Sequence, residues 1–197
     1  MARRGKTNPP GRIKIMNAFS ELMKQKEFSA ITTAEIARNG SVTEGLIYKY
    51  FKDKRDLLYQ VLNEHFTEFQ ARIQSRVAGE ESCIEQLEVI IFTSLDSYAQ
   101  NRLLSRMLFL EVRSSPEFFK SGAYAMIRKY AATILEIIQD GIARKEIKEG
   151  TDPYMLRKVI LGAMEHACLG EIIFGRALDI DKSSSSICEI VFNGVRR

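Results

Sequence analysis

The sequence predicts an all-α protein of about nine helices, and three observations carry that prediction. Apolar residues recur at helical spacing from Arg12 onward, Ser, Thr, Asp and Pro stand where helices begin, and no segment alternates apolar with polar residues as a half-buried strand does. Neither an internal repeat nor a coiled-coil heptad is present. A chain of 197 residues, 45% hydrophobic and 27% charged, can bury a real core, which excludes a disordered polymer.

Taken in order, residues 1–11 combine Arg3, Arg4 and Lys6 with Pro9, Pro10 and Gly11, and are expected to form a basic arm without core-forming pattern. Helix one follows from Arg12 to near Glu27, with Ile15, Ala18, Phe19, Leu22 and Met23 on one face. Thr32 and Glu35 stand in capping-box relation, so a short second helix begins at Thr33 and carries Ile36 and Ala37 inward. It stops at Asn39-Gly40-Ser41. Thr43 caps a third helix through about Phe51, burying Val42, Leu46 and Ile47. Two short helices about four residues apart form a helix-turn-helix. Asp53 precedes a long helix from Lys54 to about Val77, and Ser82 with Glu85 opens another through Gln100. Ser115-Pro116-Glu117 and Asp152-Pro153 each place Pro at a first helical position. Gly79, Gly150 and the stretch 179–186 read as breaks.

Charge is unevenly spread. Residues 1–60 carry 12 Lys/Arg against 6 Asp/Glu and residues 61–197 carry 17 against 19, so the positive field belongs to the N-terminal third. Such a head suits a polyanion, or is a solvated basic face on an ordinary helical protein. Cys83, Cys168 and Cys188 are widely spaced among apolar residues, which fits reduced thiols better than a disulfide framework or a zinc site. No apolar run approaches the roughly 18 residues of a membrane span, and no segment has the apolar core of a signal peptide. A cytoplasmic protein without a membrane partner is expected. His166 beside Glu165 points about 100° away from it on a helix, and no third ligand stands at suitable spacing, so no metal, no cofactor and no catalytic residue is expected; His65 is read as structural.

Residues 33–55, TAEIARNGSVTEGLIYKYFKDKR, carry the chemistry. A helix that enters the major groove must place a few side chains on base edges while its flanks grip phosphates. Gly45 at the start of helix three allows close backbone approach to a duplex, Tyr48, Lys49 and Tyr50 present two phenols and a cation, and Lys52, Lys54 and Arg55 add charge where helix four begins. Phe51 is assigned to the core.

The order Ile36-Ala37, Val42-Thr43, Gly45, Ile47-Tyr48, Tyr50-Phe51 and Asp53-Lys54-Arg55-Asp56-Leu57-Leu58 resembles the TetR (tetracycline-repressor-like, TetR/AcrR) family of transcriptional regulators. The resemblance implies a flexible arm over 1–11, a DNA-binding domain over 12–55 and an effector-binding and dimerisation domain over 56–197. It further implies that Thr33, Tyr48, Tyr50 and Lys54 contact phosphates, and that Thr43, Glu44, Gly45, Leu46 and Lys49 face base edges. Glu44 reads a cytosine amino group, excludes other bases, or points to water. Two departures stand out. Gly40-Ser41 replaces the family's Ala-Gly, so either the turn is shifted by one residue or Ser41 takes a positive φ; and Glu27 replaces the glycine usual after helix one.

From Ser82 onward the helices hold more large apolar residues than one face requires, which means a thick core or a lined cavity. The resemblance implies the cavity, for a small hydrophobic effector, with Phe92, Arg106, Leu110, Arg113, Tyr130, Ile134 and Leu169 as candidate lining. The segments Leu110-Glu111-Val112-Arg113, Gly141-Ile142 and Leu161-Gly162-Ala163 are similar to the family's acyl-CoA-responsive regulators of fatty-acid metabolism, with a lipophilic drug-like effector as the other reading. Residues 159–174 are apolar nearly all round yet include small residues three to four apart, so Gly162, Ala163, Ala167, Gly170 and Phe174 are expected at a homodimer interface. The resemblance places that interface on two helices over about 153–177 and 186–195. The whole predicts a ligand-responsive repressor that binds a palindromic double-stranded operator as a dimer. The rival is a helical lipid-binding protein or enzyme with a basic head.

Overall fold

The computed structural model describes residues 9–195, and nine α-helices lie within them: α1 Pro10–Gln25, α2 Thr33–Asn39, α3 Glu44–Tyr50, α4 Lys54–Val77, α5 Cys83–Gln100, α6 Arg102–Arg106, α7 Gly122–Ala143, α8 Pro153–Phe174 and α9 Ile180–Val195. The expected arm falls mostly outside the described residues, and its last part is helix: Pro10 takes a first-turn position of α1, where its missing N–H costs nothing. The chain divides into two compact units that meet inside α4, one ending at Val61 and one starting at Leu62.

In the N-terminal unit α1, α2 and α3 pack on one another around Ile15, Phe19, Ile36, Ile47 and Phe51, all buried. The expected capping box is present: Thr32 Oγ1 accepts from Glu35 N–H at 3.2 Å, and the Glu35 carboxylate accepts from Thr32 N–H at 3.1 Å. Asp53 caps α4 by accepting from Asp56 N–H at 2.8 Å. The exit from α1 needs no glycine, because Lys26 (φ −141°) and Glu27 (φ −63°, ψ 145°) are both extended. A 3-10 turn over Phe28–Ala30 then buries Phe28 and delivers the buried Ile31.

The turn between α2 and α3 is unshifted. Gly40 ends α2 with a right-handed φ of −80°, and Ser41 takes φ 50°. Val42 N–H donates to Ala37 O at 2.9 Å and Ser41 N–H to Arg38 O at 3.2 Å, the paired bonds of a Schellman ending. Gly40 is closely packed: a Cβ there would sit 3.3 Å from both Ala18 Cβ and Lys14 O on α1, a tight fit.

In the C-terminal unit α5 packs against α7, α8 and α9, and it is apolar on most sides, with Ile84, Leu87, Ile90, Ile91 and Leu95 buried. Ser82 and Glu85 cap it as expected, and Asp152 caps α8 by accepting from Tyr154 and Met155 N–H at 2.9 and 3.2 Å, with Pro153 in the first turn. Two expectations are corrected. Ser115-Pro116-Glu117 opens no α-helix; a turn and a 3-10 segment over Phe118–Lys120 intervene, and α7 starts after Ser121, whose hydroxyl accepts from Tyr124 N–H at 3.2 Å. The stretch 179–186 is no break either. The serines there are helical because Asp179 caps α9 through Lys182 N–H at 3.0 Å, and Ser184 Oγ donates back to Asp181 O at 3.1 Å. The break lies just before, where α8 ends on Gly175 with φ 70°.

Candidate nucleic-acid interface and ligand cavity

The surface of α3 is built by the packing beneath it. Ile47 is buried against α1 and α2, which turns Tyr48 (56% exposed), Glu44, Gly45 and Lys49 outward. Thr43 caps the helix by accepting from Leu46 N–H at 3.3 Å. Nothing lies within 4 Å of a Cβ built on Gly45, so nothing inside this unit demands glycine there. Thr33, at the first turn of α2, donates to Glu44 Oε2 at 2.9 Å and stands 3.4 Å from the Tyr48 hydroxyl. The carboxylate is therefore anchored to α2, and Thr33, Glu44 and Tyr48 form one polar cluster between the two short helices. Leu46 and Tyr50 are half-buried against the start of α1: a Cβ on Gly11 would meet Leu46 Cδ2 at 2.9 Å and Tyr50 Cε2 at 3.6 Å. Lys49 leans 6.0 Å over the Tyr50 ring, leaving its ammonium on the exposed face.

Lys54 has another use in the structure. Its Nζ donates to Phe28 O at 2.7 Å, Ile31 O at 2.6 Å and Ser29 O at 3.3 Å, and lies 4.5 Å from the centre of the Phe28 ring. An ammonium has three N–H groups, and three carbonyls at the end of the 3-10 turn meet them. Lys54 thus clamps the α1–α2 connection onto the start of α4. Nearby, Lys26 pairs with Glu35, and this contact, with the Thr32 N–H, holds the Glu35 carboxyl down to about 2.

The C-terminal unit encloses a cavity of about 290 Å³. Its wall is largely aromatic: Phe66 and Phe69 from α4, Tyr98 from α5, Phe109, Phe118 and Phe119 from the segment before α7, and Tyr124 and Tyr130 from α7. Helical winding widens to a π-turn over Met107–Glu111, so that Leu108 and Phe109 both face the cavity while Leu110 is exposed. Phe69 and Tyr130 meet edge to face at 5.4 Å, and Tyr130 exchanges a 2.7 Å hydrogen bond with Ser94. Burial pushes the Tyr98 and Tyr130 phenols far above their ordinary range. Arg113 lines the cavity in a bidentate pair with Glu165 of α8, at 2.5 and 2.9 Å.

Of the residues expected to line a pocket, Arg113 and Tyr130 are on this wall. Phe92 lies instead on a separate groove with Arg76, Cys188 and Phe192, while Arg106, Leu110, Ile134 and Leu169 are not on the wall: Ile134 is buried in the α7 core and Leu110 faces outward. Sequence reasoning missed Phe66, Phe69, Phe118 and Phe119. The available signal was the Phe66–Phe69 spacing on α4, about one helical turn apart and so on one face of the helix.

On α8, Gly162 and Gly170 have open space where a Cβ would stand, and Phe174 is 69% exposed. With Met155, Val159 and Ile173 of α8 and Ile190 of α9, itself 77% exposed, they leave large apolar groups on the surface of the last two helices. Ala163 and Ala167 are half-buried on the same helix. The cysteines are free, with Cys83 and Cys188 raised to about 11 and Cys168 to about 12, in each case chiefly by burial. No group of three metal-ligating side chains occurs among the described residues, and none of their helices is long and apolar enough to cross a membrane.

The chain is similar to known proteins. The family of bacterial regulatory proteins typed by tetR matches residues 15–61, and the YsiA-like protein C-terminal region matches residues 62–194. The fatty acid metabolism regulator protein of Bacillus subtilis (strain 168) is 25% identical over 190 residues, spanning 96% of this chain and 98% of that protein. The crystal structure of the transcriptional regulator FadR from Bacillus subtilis in complex with stearoyl-CoA is similar with a TM-score of 0.83 at 25% identity, over 93% of this chain and 99% of that one. The fatty acid degradation regulator FadR from Bacillus halodurans shares the fold with a TM-score of 0.82 at 18% identity, over 94% and 96% of the two chains. Regulators of this family bind DNA operators as dimers and respond to small-molecule effectors. With a helix-turn-helix head and an aromatic-walled cavity in a body matched over residues 62–194, this chain belongs to the TetR family of ligand-responsive, DNA-binding transcriptional regulators.

Proposed function

We propose that this chain is a repressor that acts as a homodimer on a palindromic operator and is released from it by a long-chain acyl-CoA. The observation that carries the effector class is the cavity: an aromatic chamber suited to a hydrocarbon chain, with a paired arginine on its wall, in a chain similar along nearly its whole length to a regulator solved with stearoyl-CoA. The Arg113–Glu165 pair is the proposed point of entry for the anionic part of the ligand, which competes with Glu165 for the guanidinium.

In this reading α3 enters the major groove. Gly45 permits close approach, Thr43, Glu44 and Lys49 face the bases, and Thr33, Tyr48 and Tyr50 meet phosphates, with Lys54 holding the head in shape. Leu46 contributes chiefly by seating α3 on α1. The exposed apolar groups of α8 and α9, Phe174 among them, pack against their copies in the partner, with Gly162, Ala163, Ala167 and Gly170 allowing close contact. The protein works in the cytoplasm and catalyses no reaction.

The test is a gel-shift titration with DNA from upstream of the chain's own gene, with and without micromolar stearoyl-CoA, alongside thermal melting of the free protein. The expected outcome is release of DNA and a raised melting temperature. If stearoyl-CoA does neither while a lipophilic cation does both, the effector class is wrong and the regulator reading stands.

A further inference from the structure

One polar side chain is built into the aromatic wall without a partner. Gln70 of α4 is only 4% exposed and lines the cavity, and neither its Nε2 nor its Oε1 makes a hydrogen bond among the described residues. Two other polar groups on the wall are already engaged, the Tyr130 hydroxyl by Ser94 at 2.7 Å and Arg113 by Glu165. A chamber serving only a saturated chain has no use for an amide, since leucine or methionine fills the same volume without a desolvation penalty.

The amide also limits what answers it. Nε2 donates and Oε1 accepts, so a partner must both accept and donate. A ketone or ester carbonyl only accepts, leaving Oε1 bare. An ionised carboxylate only accepts too, and likewise leaves Oε1 bare. A hydroxyl does both, as does an amide of the pantetheine arm, but the arm is common to every acyl-CoA and only a group on the chain lets Gln70 discriminate between chains. Resting on the acyl-CoA reading above, we propose that the effector is a hydroxylated acyl chain, and that Gln70 is the residue that distinguishes it from the saturated chain of the same length.

The test is calorimetric titration of the full chain, wild type and Gln70→Met, with stearoyl-CoA and with monohydroxystearoyl-CoAs bearing the hydroxyl at successive positions. The expected result is that one hydroxylated isomer binds the wild type about tenfold tighter than stearoyl-CoA. Gln70→Met should abolish that advantage while binding stearoyl-CoA at least as well as the wild type, because its wall has lost a group that must be desolvated. The wild-type ranking stands by itself should the variant fold poorly. If stearoyl-CoA binds and no hydroxylated isomer outranks it, or if the advantage survives in Gln70→Met, the inference is overturned and the acyl-CoA reading remains. If no thioester binds, both fall.

Discussion

Replacing Lys54 by methionine separates a structural cation from a phosphate contact. Methionine keeps an unbranched stem but removes every donor, so the carbonyls of Phe28, Ile31 and Ser29 lose the ammonium, and Phe28 O is left with the 3.3 Å bond from Ile31 N–H. Hydrogen bonds from a charged group contribute roughly 1.5–3 kcal/mol each. Two of these are short, one is long at 3.3 Å, and the side chain is only half-buried, so the low end applies. The two short bonds at that low end give an expected loss of about 3 kcal/mol, to which the long one and the ammonium over the ring add a little. Urea denaturation followed by circular dichroism measures it, since the chain has no tryptophan. The second readout is the salt dependence of operator binding. A lost phosphate contact lowers the slope of log K against log salt by about one, whereas a loosened head weakens binding with little change in slope. Unchanged stability with a slope reduced by one would refute the clamp and return Lys54 to the phosphates.

Three further outcomes are expected. Ser41→Gly relieves a left-handed residue that costs about 1–2 kcal/mol and gives back about 0.4–1 kcal/mol in unfolded-state entropy; a net gain of about 0.5–1 kcal/mol should raise the urea midpoint, and a fall would show that the serine is unstrained at φ 50°. Gly45→Ala should move two properties in opposite directions, adding about 0.5–1 kcal/mol of helix stability while weakening operator binding at least tenfold, and a variant that binds as well as the wild type would remove Gly45 from the interface. The third concerns pH. Burial, and then the Arg72 charge, lower the His65 pKa below its ordinary 6.5. The unfolded chain therefore takes up the proton first, and stability is full above about pH 6.5 and lost as pH falls below it. Urea midpoints at two pH values on either side should diverge for wild type and converge for His65→Gln; parallel lines for the two proteins would overturn the assignment.

The local rules of helix formation were legible in the chain itself. Thr32 with Glu35, Ser82 with Glu85, Asp53 and Asp152-Pro153 act through atoms a few residues apart, so their spacing is sufficient to place α2, α5, α4 and α8. The same holds for the reading head, where the run from Thr33 to Lys54 is contiguous and the burial of Ile36, Ile47 and Phe51 follows from period. Local rules failed where a competing local contact won: Asp179 carried the serine-rich stretch into α9, and a 3-10 turn took the place of a helix after Pro116.

What only the tertiary structure decided depends on contacts between residues distant in sequence. Lys54 and the carbonyls it clamps are more than twenty positions apart, so nothing in its basic neighbourhood separates it from a phosphate contact. Gly40 is pressed against α1, a close approach that no turn propensity reveals, and Ser41 takes the left-handed place of the Schellman ending that follows it. The cavity is assembled from α4, α5, α7, α8 and the π-turn, and an apolar residue on any of them has the same helical period whether it faces a core or a chamber. Sequence determined the helices and the order of the reading head because those are short-range properties; the choice between core and cavity, and between clamp and contact, belongs to the three-dimensional packing that brings distant side chains together.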